Sequence, residues 1–299
     1  MRGDFLEAVA SRVVLSDGAV GTMLTEAETP GIPRGSLTPE ELNLTEPDRV
    51  VSLHRAYIAA GAEVVQTNSF GTNAVRLAVT GPTSDADLLS RRAAELARQA
   101  AGPNVWVAGS MGPTGGFLEP VGDLTEKETL AAFETQASSL AEGGADLLLI
   151  ETMSDPREAV LAVTAARRTG LPVGCTFSFD THLRTLTGVS PRRAAGMVLE
   201  AGADLVGANC GDMPRFLVQA VEQIRASYPR VPLVAQPNAG PPHLQGGTTV
   251  VYEVSAKRLA SYAGQFVAAG VRVVGSCCGS TPDYTAALAG ALRAHSLAA

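Results

Sequence analysis

Cysteine is scarce in this chain, with four in 299 residues; histidine also numbers four, and aromatics make up 5% with a single tryptophan. Each scarcity excludes something. Four cysteines are too few for the disulfide framework of a small secreted scaffold, so those that cluster point to metal ligation or a catalytic thiol in a reducing compartment. Basic runs are absent and the formal net charge is −7, which argues against a nucleic-acid phosphate backbone as partner. No apolar stretch approaches a membrane span, and the opening MRGDFLEAVASRVVL puts Asp4 and Glu7 where a signal peptide needs an uninterrupted apolar run. The sequence therefore predicts a cytoplasmic protein with no membrane partner.

What is present is a repeating pattern. Short apolar or β-branched runs, VVLSD (13–17), AEVVQTN (62–68), VWVAGS (105–110), DLLLIET (146–152), PVGCTFS (172–178), DLVGANC (204–210), PLVAQPN (232–238) and VRVVGSC (271–277), alternate with amphipathic stretches such as 47–61, 85–102 and 190–202. Such alternation implies a parallel sheet. Eight units in about 250 residues predict an α/β fold, a closed (β/α)8 TIM barrel forming one domain over 1–299. Four similar joints, AAGAEVV, EGGADLL, EAGADLV and AAGVRVV, put a helix-ending glycine just before a strand. Two connections are longer than the rest, 18–46 and 241–255; both follow strands, so both are candidate lids at the barrel mouth.

Polar residues fall at the strand ends that face this mouth: Asp17, Asn68, Glu151, Cys210, Asn238, Cys277 and Cys278. Cys210 closes the sixth strand and the Cys277–Cys278 pair closes the eighth, so one strand separates them around the ring. Neighbouring residues on a strand point to opposite faces, and two adjacent thiols can serve one site only where the backbone turns out of the strand; Gly275 and Gly279 mark that turn. Three thiolates with a fourth position open form a catalytic zinc site, and their softness favours zinc over magnesium or manganese. The isolated Cys175 reads instead as a small buried hydrophobe. A vicinal disulfide at Cys277–Cys278 would force an awkward backbone and leave Cys210 unexplained. His54, His182, His243 and His295 show no ligand spacing, and GSMGPTGG (109–116) lacks the spacing of a phosphate loop, with Pro113 removing a donor.

Taken in order, DGAVGTML (17–24), NLTEPD (43–48), AGAEVVQTNSFGTN (60–73), GSMGPTG (109–115), LLIETMSD (148–155), GANCGD (207–212), PNAG (237–240) and GSCCGSTP (275–282) resemble the homocysteine S-methyltransferase family over nearly the whole chain. The wording is most similar to the homocysteine-binding module of cobalamin-dependent methionine synthase. The resemblance implies a zinc barrel in which Cys210, Cys277 and Cys278 are the metal ligands and homocysteine sulfur takes the open position. A thiol of pKa near 8.5 is only about 3% thiolate at pH 7, so binding it as thiolate recovers roughly 2 kcal/mol of nucleophile availability. Three cysteinates and a substrate thiolate around Zn2+ leave a formal charge of −2, which keeps the sulfur electron-rich. By the same resemblance Glu151 accepts the substrate ammonium, Asp17, Gly18 and Ala19 form the loop that meets its carboxylate, and Asn238 occupies the fourth metal position before substrate arrives. For Glu151 the plain alternative is an ion pair with a neighbouring helix, and Asp17-Gly18 is also a common turn signal.

The methyl donor is read from what is missing. A quaternary ammonium or sulfonium donor needs an aromatic cage, and the only tryptophan, Trp106, lies inside a strand candidate. The resemblance then implies methylcobalamin supplied in trans by a separate corrinoid protein. Other readings are a betaine- or S-methylmethionine-dependent enzyme, a methyltransferase acting on another thiol, and a non-catalytic zinc-binding partner module.

Overall fold

All eight apolar runs form strands in the computed structural model, which describes residues 2–26, 38–80, 85–245 and 249–298. They are β1 Val14–Leu15, β2 Val64–Gln66, β3 Trp106–Met111, β4 Leu147–Met153, β5 Val173–Phe177, β6 Leu205–Cys210 and β7 Leu233–Pro237, then β10 Val271–Val274. Their order is β1-β10-β7-β6-β5-β4-β3-β2, with every neighbour parallel. A bridge between Ser16 and Val64 joins the two ends, and there the Asp17 N–H donates to Val64 O at 3.1 Å and the Glu63 N–H to Leu15 O at 2.8 Å. The sheet is therefore a closed (β/α)8 barrel.

The helices between strands start and stop where local chemistry dictates. Proline stands in the first turn of the helices Pro47–Ala59, Pro156–Arg167, Pro191–Glu200 and Pro214–Ser227, where its missing N–H costs nothing. Thr125 and Glu128 form a reciprocal capping box on the helix Glu126–Glu142. At the four repeated joints Gly61, Gly144, Gly202 and Gly270 all have left-handed φ, between 83° and 110°. In three of them the next residue's N–H reaches back past the glycine, as from Ala62 to Tyr57 O at 3.0 Å and from Ala203 to Val198 O at 3.0 Å. This satisfies the helix's last carbonyls and turns the chain into the next strand.

Strand periodicity divides the core in two. Val14, Val64, Trp106, Ala108, Leu147, Leu149, Leu205, Val234 and Val273 form an apolar cluster inside the barrel, joined from below by Phe5 and Val9 of the N-terminal helix. Phe5 meets Trp106 edge to face at 5.6 Å between centroids. A larger cluster fills the layer between strands and helices.

Both long connections hold more structure than a loop. Residues 18–46 contain the helix Val20–Glu26, a 3-10 turn Pro39–Glu41 and the helix Leu42–Thr45; positions 27–37 of that connection lie outside the described residues. The 241–255 connection carries an antiparallel hairpin of β8 Pro242–Gln245 and β9 Thr249–Tyr252, with 246–248 outside the described residues. No helix among the described residues is long and apolar enough to cross a membrane.

Candidate active site

Three sulfurs meet at the mouth. Cys210 Sγ lies 3.1 Å from Cys277 Sγ and 3.9 Å from Cys278 Sγ, and the last two are 4.0 Å apart. Tetrahedral zinc with Zn–S bonds of about 2.3 Å sets its sulfurs about 3.8 Å apart, so two separations match and the third opens by about 0.7 Å. All four cysteines are free thiols, and Cys175 is fully buried in the core away from this group.

The backbone explains how these thiols converge. Cys210 has φ 58°, a left-handed conformation at the last residue of β6, which takes it out of the strand alternation. On the eighth barrel strand regular structure ends at Val274. Gly275 then passes so close to β1 that a Cβ would sit 2.9 Å from Asp17 O, and a Cβ on Gly279 would fall 2.2 Å from the Tyr252 ring. Glycine is required on both sides of the cysteine pair.

Charge balance in this group suits a cation. Hydrogen bonds to Cys210 and Cys278, then burial, push the Cys277 thiol well up. Cys210 is eased down by Cys277, but its bond to Cys278, burial and the charges of Cys278 and Glu151 leave it raised. Cys278, which accepts from both, is pulled down. The trio thus gives up one proton readily and resists losing the others, and three thiolates together need a positive charge between them.

Glu151 stands beside the sulfurs in the same cavity of about 350 Å3, which is also lined by Gly18, Ala19, Ser110 and Thr152. Burial pushes its carboxyl up to about 7; a hydrogen bond from Ser110 opposes this, and the charges of Asp17 and Cys278 add to it. Ser110 Oγ donates to Glu151 Oε1 at 2.5 Å and Asn209 Nδ2 to Oε2 at 3.4 Å. Asn209 is fully buried and works as a hub: its Oδ1 accepts from the Thr152 N–H and from Thr176 Oγ1, each at 2.8 Å. Its Nδ2 donates to Thr152 Oγ1 at 2.7 Å and lies 3.8 Å from Cys277 Sγ and 3.9 Å from Cys210 Sγ. Thr152 also has left-handed φ, 60°, so this one amide holds two strained strand ends.

The remaining predicted site residues lie around this centre. Gly18 and Ala19 line the cavity, whereas the Asp17 carboxylate faces Gln66, accepting its backbone N–H at 2.8 Å and its Nε2 at 3.0 Å. Burial raises Asp17 to about 7 against those hydrogen bonds. The Ala19 N–H donates to Ser280 Oγ at 3.1 Å, and Ser280 Oγ to Cys277 O at 2.7 Å, which fastens the Gly18–Ala19 loop to the cysteine loop. Asn238 Nδ2 donates to Gly211 O at 3.0 Å, beside Cys210, and its Oδ1 is buried without a hydrogen-bond partner. Asn238 is not among the described residues that line the sulfurs' cavity, and its link to the site is this bond to the residue after Cys210. Sequence reading passed over Ser110, Asn209, Gln66 and Ser280. The first three were detectable by period two: each lies two residues beyond a lumen-facing Ala108, Gly207 or Val64.

Residues 14–292 match the profile of the family described as homocysteine S-methyltransferase. The chain is 34% identical to a methionine synthase of Mycobacterium leprae and 32% to that of Mycobacterium tuberculosis, in each case over 97% of this chain and 25% of the relative. It therefore spans about a quarter of the length of the methionine synthases it matches. Among solved structures, the homocysteine methyltransferase MmuM from Escherichia coli superposes in its metallated form with a TM-score of 0.76 at 23% identity, over 93% of this chain and 96% of that one. Its apo form gives 0.73 at 24% identity, over 96% and 99%. These superpositions show the shared barrel.

Proposed function

This chain belongs to the homocysteine S-methyltransferase family, and from that premise we propose that it methylates homocysteine to methionine at a zinc site made by Cys210, Cys277 and Cys278. The observation that carries the proposal is the placement of three converging thiols and a buried carboxylate, Glu151, on one cavity. Homocysteine has a thiol at one end and an ammonium at the other, and the cavity offers a partner to each. When held by the three cysteines, zinc supplies a position where the substrate thiol binds as thiolate at neutral pH.

The chain's own residues do the rest. Glu151 receives the ammonium, and Ser110 and Asn209 hold its two oxygens in place. Gly18 and Ala19, fixed through Ser280, border the carboxylate end. With the amino acid anchored at both ends, the sulfur lone pair points at the mouth. It forms the S–CH3 bond as the bond from methyl to donor breaks, and the product thioether carries no charge to hold it.

For the donor we propose a methyl-corrinoid carried by a separate protein. In support, every exposed large apolar side chain among the described residues lies on the mouth side of the barrel, between a strand and its helix or in that helix's first turn. Val79, Val121, Leu186 and Leu244 are the most exposed, at 68% to 83%. An apolar rim around an active-site mouth suits a protein partner better than a small diffusing donor. Free thiols on that cavity suit the reducing cytoplasm.

The test is thiol methylation by zinc-loaded protein, with methylcobalamin, betaine and S-methylmethionine offered separately. Much faster turnover with methylcobalamin supports the reading. Rapid turnover of either onium donor without a corrinoid would overturn the donor and leave the thiolate chemistry standing.

A further inference from the structure

Among the described residues that line the cavity, Phe70 is the only aromatic one. An onium methyl group, quaternary ammonium or sulfonium, is recognised by an aromatic face and is helped by a nearby carboxylate. Both elements are present here, because Glu40 also lines the cavity and accepts the Gly71 N–H on Oε1 at 2.8 Å. The face is nevertheless taken: the Arg76 guanidinium lies over the Phe70 ring at 5.2 Å from its centroid. Arg76 Nε and Glu40 Oε1 come together above Gly71, 3.2 and 2.6 Å from where a Cβ would stand. Gly112 packs against the same ring, and a Cβ there would lie 2.6 Å from it.

We propose that Arg76 sets the donor class: its guanidinium fills, from within the chain, the aromatic and carboxylate site that an onium donor would occupy. The cation–π contact is already made by a side chain of the chain itself, and its Nε stands on the same side of Gly71 as Glu40 Oε1. An approaching onium meets a positive charge in place of a bare ring. The effect is specific to cationic donors, since a neutral or protein-borne methyl group needs neither the ring nor the carboxylate. This inference rests on the homocysteine reading of the cavity and adds to it which residue excludes one donor class.

The experiment compares zinc-loaded wild type with Arg76→Leu, Arg76→Lys and the double variant Arg76→Leu with Phe70→Leu. Each is titrated calorimetrically with S-methylmethionine, with tetramethylammonium and, separately, with homocysteine. The expected result is onium binding about tenfold tighter in Arg76→Leu than in wild type, no gain in Arg76→Lys, and loss of the gain when Phe70 is also removed. Homocysteine affinity should be unchanged in Arg76→Leu, which shows that the cavity is intact. If Arg76→Leu binds homocysteine normally and gains no onium affinity, or if the gain survives loss of Phe70, Arg76 does not set the donor class. If no variant binds homocysteine, wild type included, the underlying functional reading fails instead.

Discussion

Replacing Glu151 by glutamine tests the substrate pose with least disturbance. The amide keeps an oxygen to accept from Ser110, which now bonds Oε1 at 2.5 Å, and gives up the charge that faces the ammonium. A charge-assisted hydrogen bond in a buried site contributes about 2–3 kcal/mol, so homocysteine should bind about 30- to 150-fold more weakly. Its pH dependence is more diagnostic. Burial, the largest cause, holds the Glu151 carboxyl up at about 7, so the ammonium-binding carboxylate is lost as pH falls through that value and gained as it rises. Wild-type affinity should therefore rise with pH beyond whatever the substrate thiol contributes. The glutamine variant keeps the thiol's share alone, so the ratio of the two dissociation constants should widen as pH rises. A nearby dication moves the midpoint down and shrinks this widening without changing its sign. Calorimetric titration of zinc-loaded protein at pH 6, 7 and 8, with metal content measured alongside, decides the matter. Equal affinities at pH 8, or zinc lost from the variant, would refute the assignment of Glu151 to the ammonium.

Serine at Cys210, Cys277 or Cys278 should abolish tight zinc binding, whereas Cys175→Ser, in the buried core, should retain one zinc per chain by metal analysis; loss of zinc from the latter would break the ligand assignment. Asn209→Ala strands the Thr152 N–H and the Thr176 hydroxyl in a buried site, and should destabilise the metal-free protein by about 3 kcal/mol in urea unfolding. A shift under 1 kcal/mol would mean the hub does not hold the strand ends. His54 is fully buried with both ring nitrogens unpartnered, and burial lowers it from 6.5 to about 4. Because the unfolded chain takes up that proton first, stability is complete above pH 6.5 and about 3 kcal/mol is lost as pH falls to about 4. His54→Leu should flatten that slope in unfolding curves at pH 7 and 4.5, and an unaltered slope would place the acid sensitivity elsewhere.

Much of this molecule is legible because it obeys periods. The eight barrel strands and the four glycine joints follow from runs and caps that local chemistry dictates, and each appears where expected. Convergence of Cys210 with Cys277 and Cys278 was legible too, since strand ends in a barrel face one mouth. The hairpin after β7 was not: its strands are four residues each, and the β-branched signal in TTVVY sits next to a run of glycines that reads as loop. Within 18–46, Pro39 and the short LNLT turn gave no periodicity long enough to register. Period two could place Asn209 in the lumen, but its role as a hub lies in a left-handed residue at the end of β4, two strands away, a contact that no single segment encodes.

The chemistry of the mouth also follows from what lies beneath it. Along β3 the lumen positions run Trp106, Ala108, Ser110; along β4 they run Leu147, Leu149, Glu151; along β6 they run Leu205, Gly207, Asn209. The change from apolar to polar comes at the end of each sequence, so the polar groups share one level and can bond across the barrel, as Ser110, Glu151 and Asn209 do. Below them the lumen is closed: Phe5, Val64, Leu149 and their neighbours leave an internal space of about 10 Å3, at most marginal for one water. Water therefore reaches this layer only from the mouth. That is why burial dominates the raised pKa of both Glu151 and Asp17. A carboxylate in such a place binds a cationic partner with little competition from solvent, and the same dryness would favour the proposed zinc on the three thiols beside it. The N-terminal helix, which contributes no group to the cavity, thus shapes the site's electrostatics by sealing the far end of the barrel with Phe5.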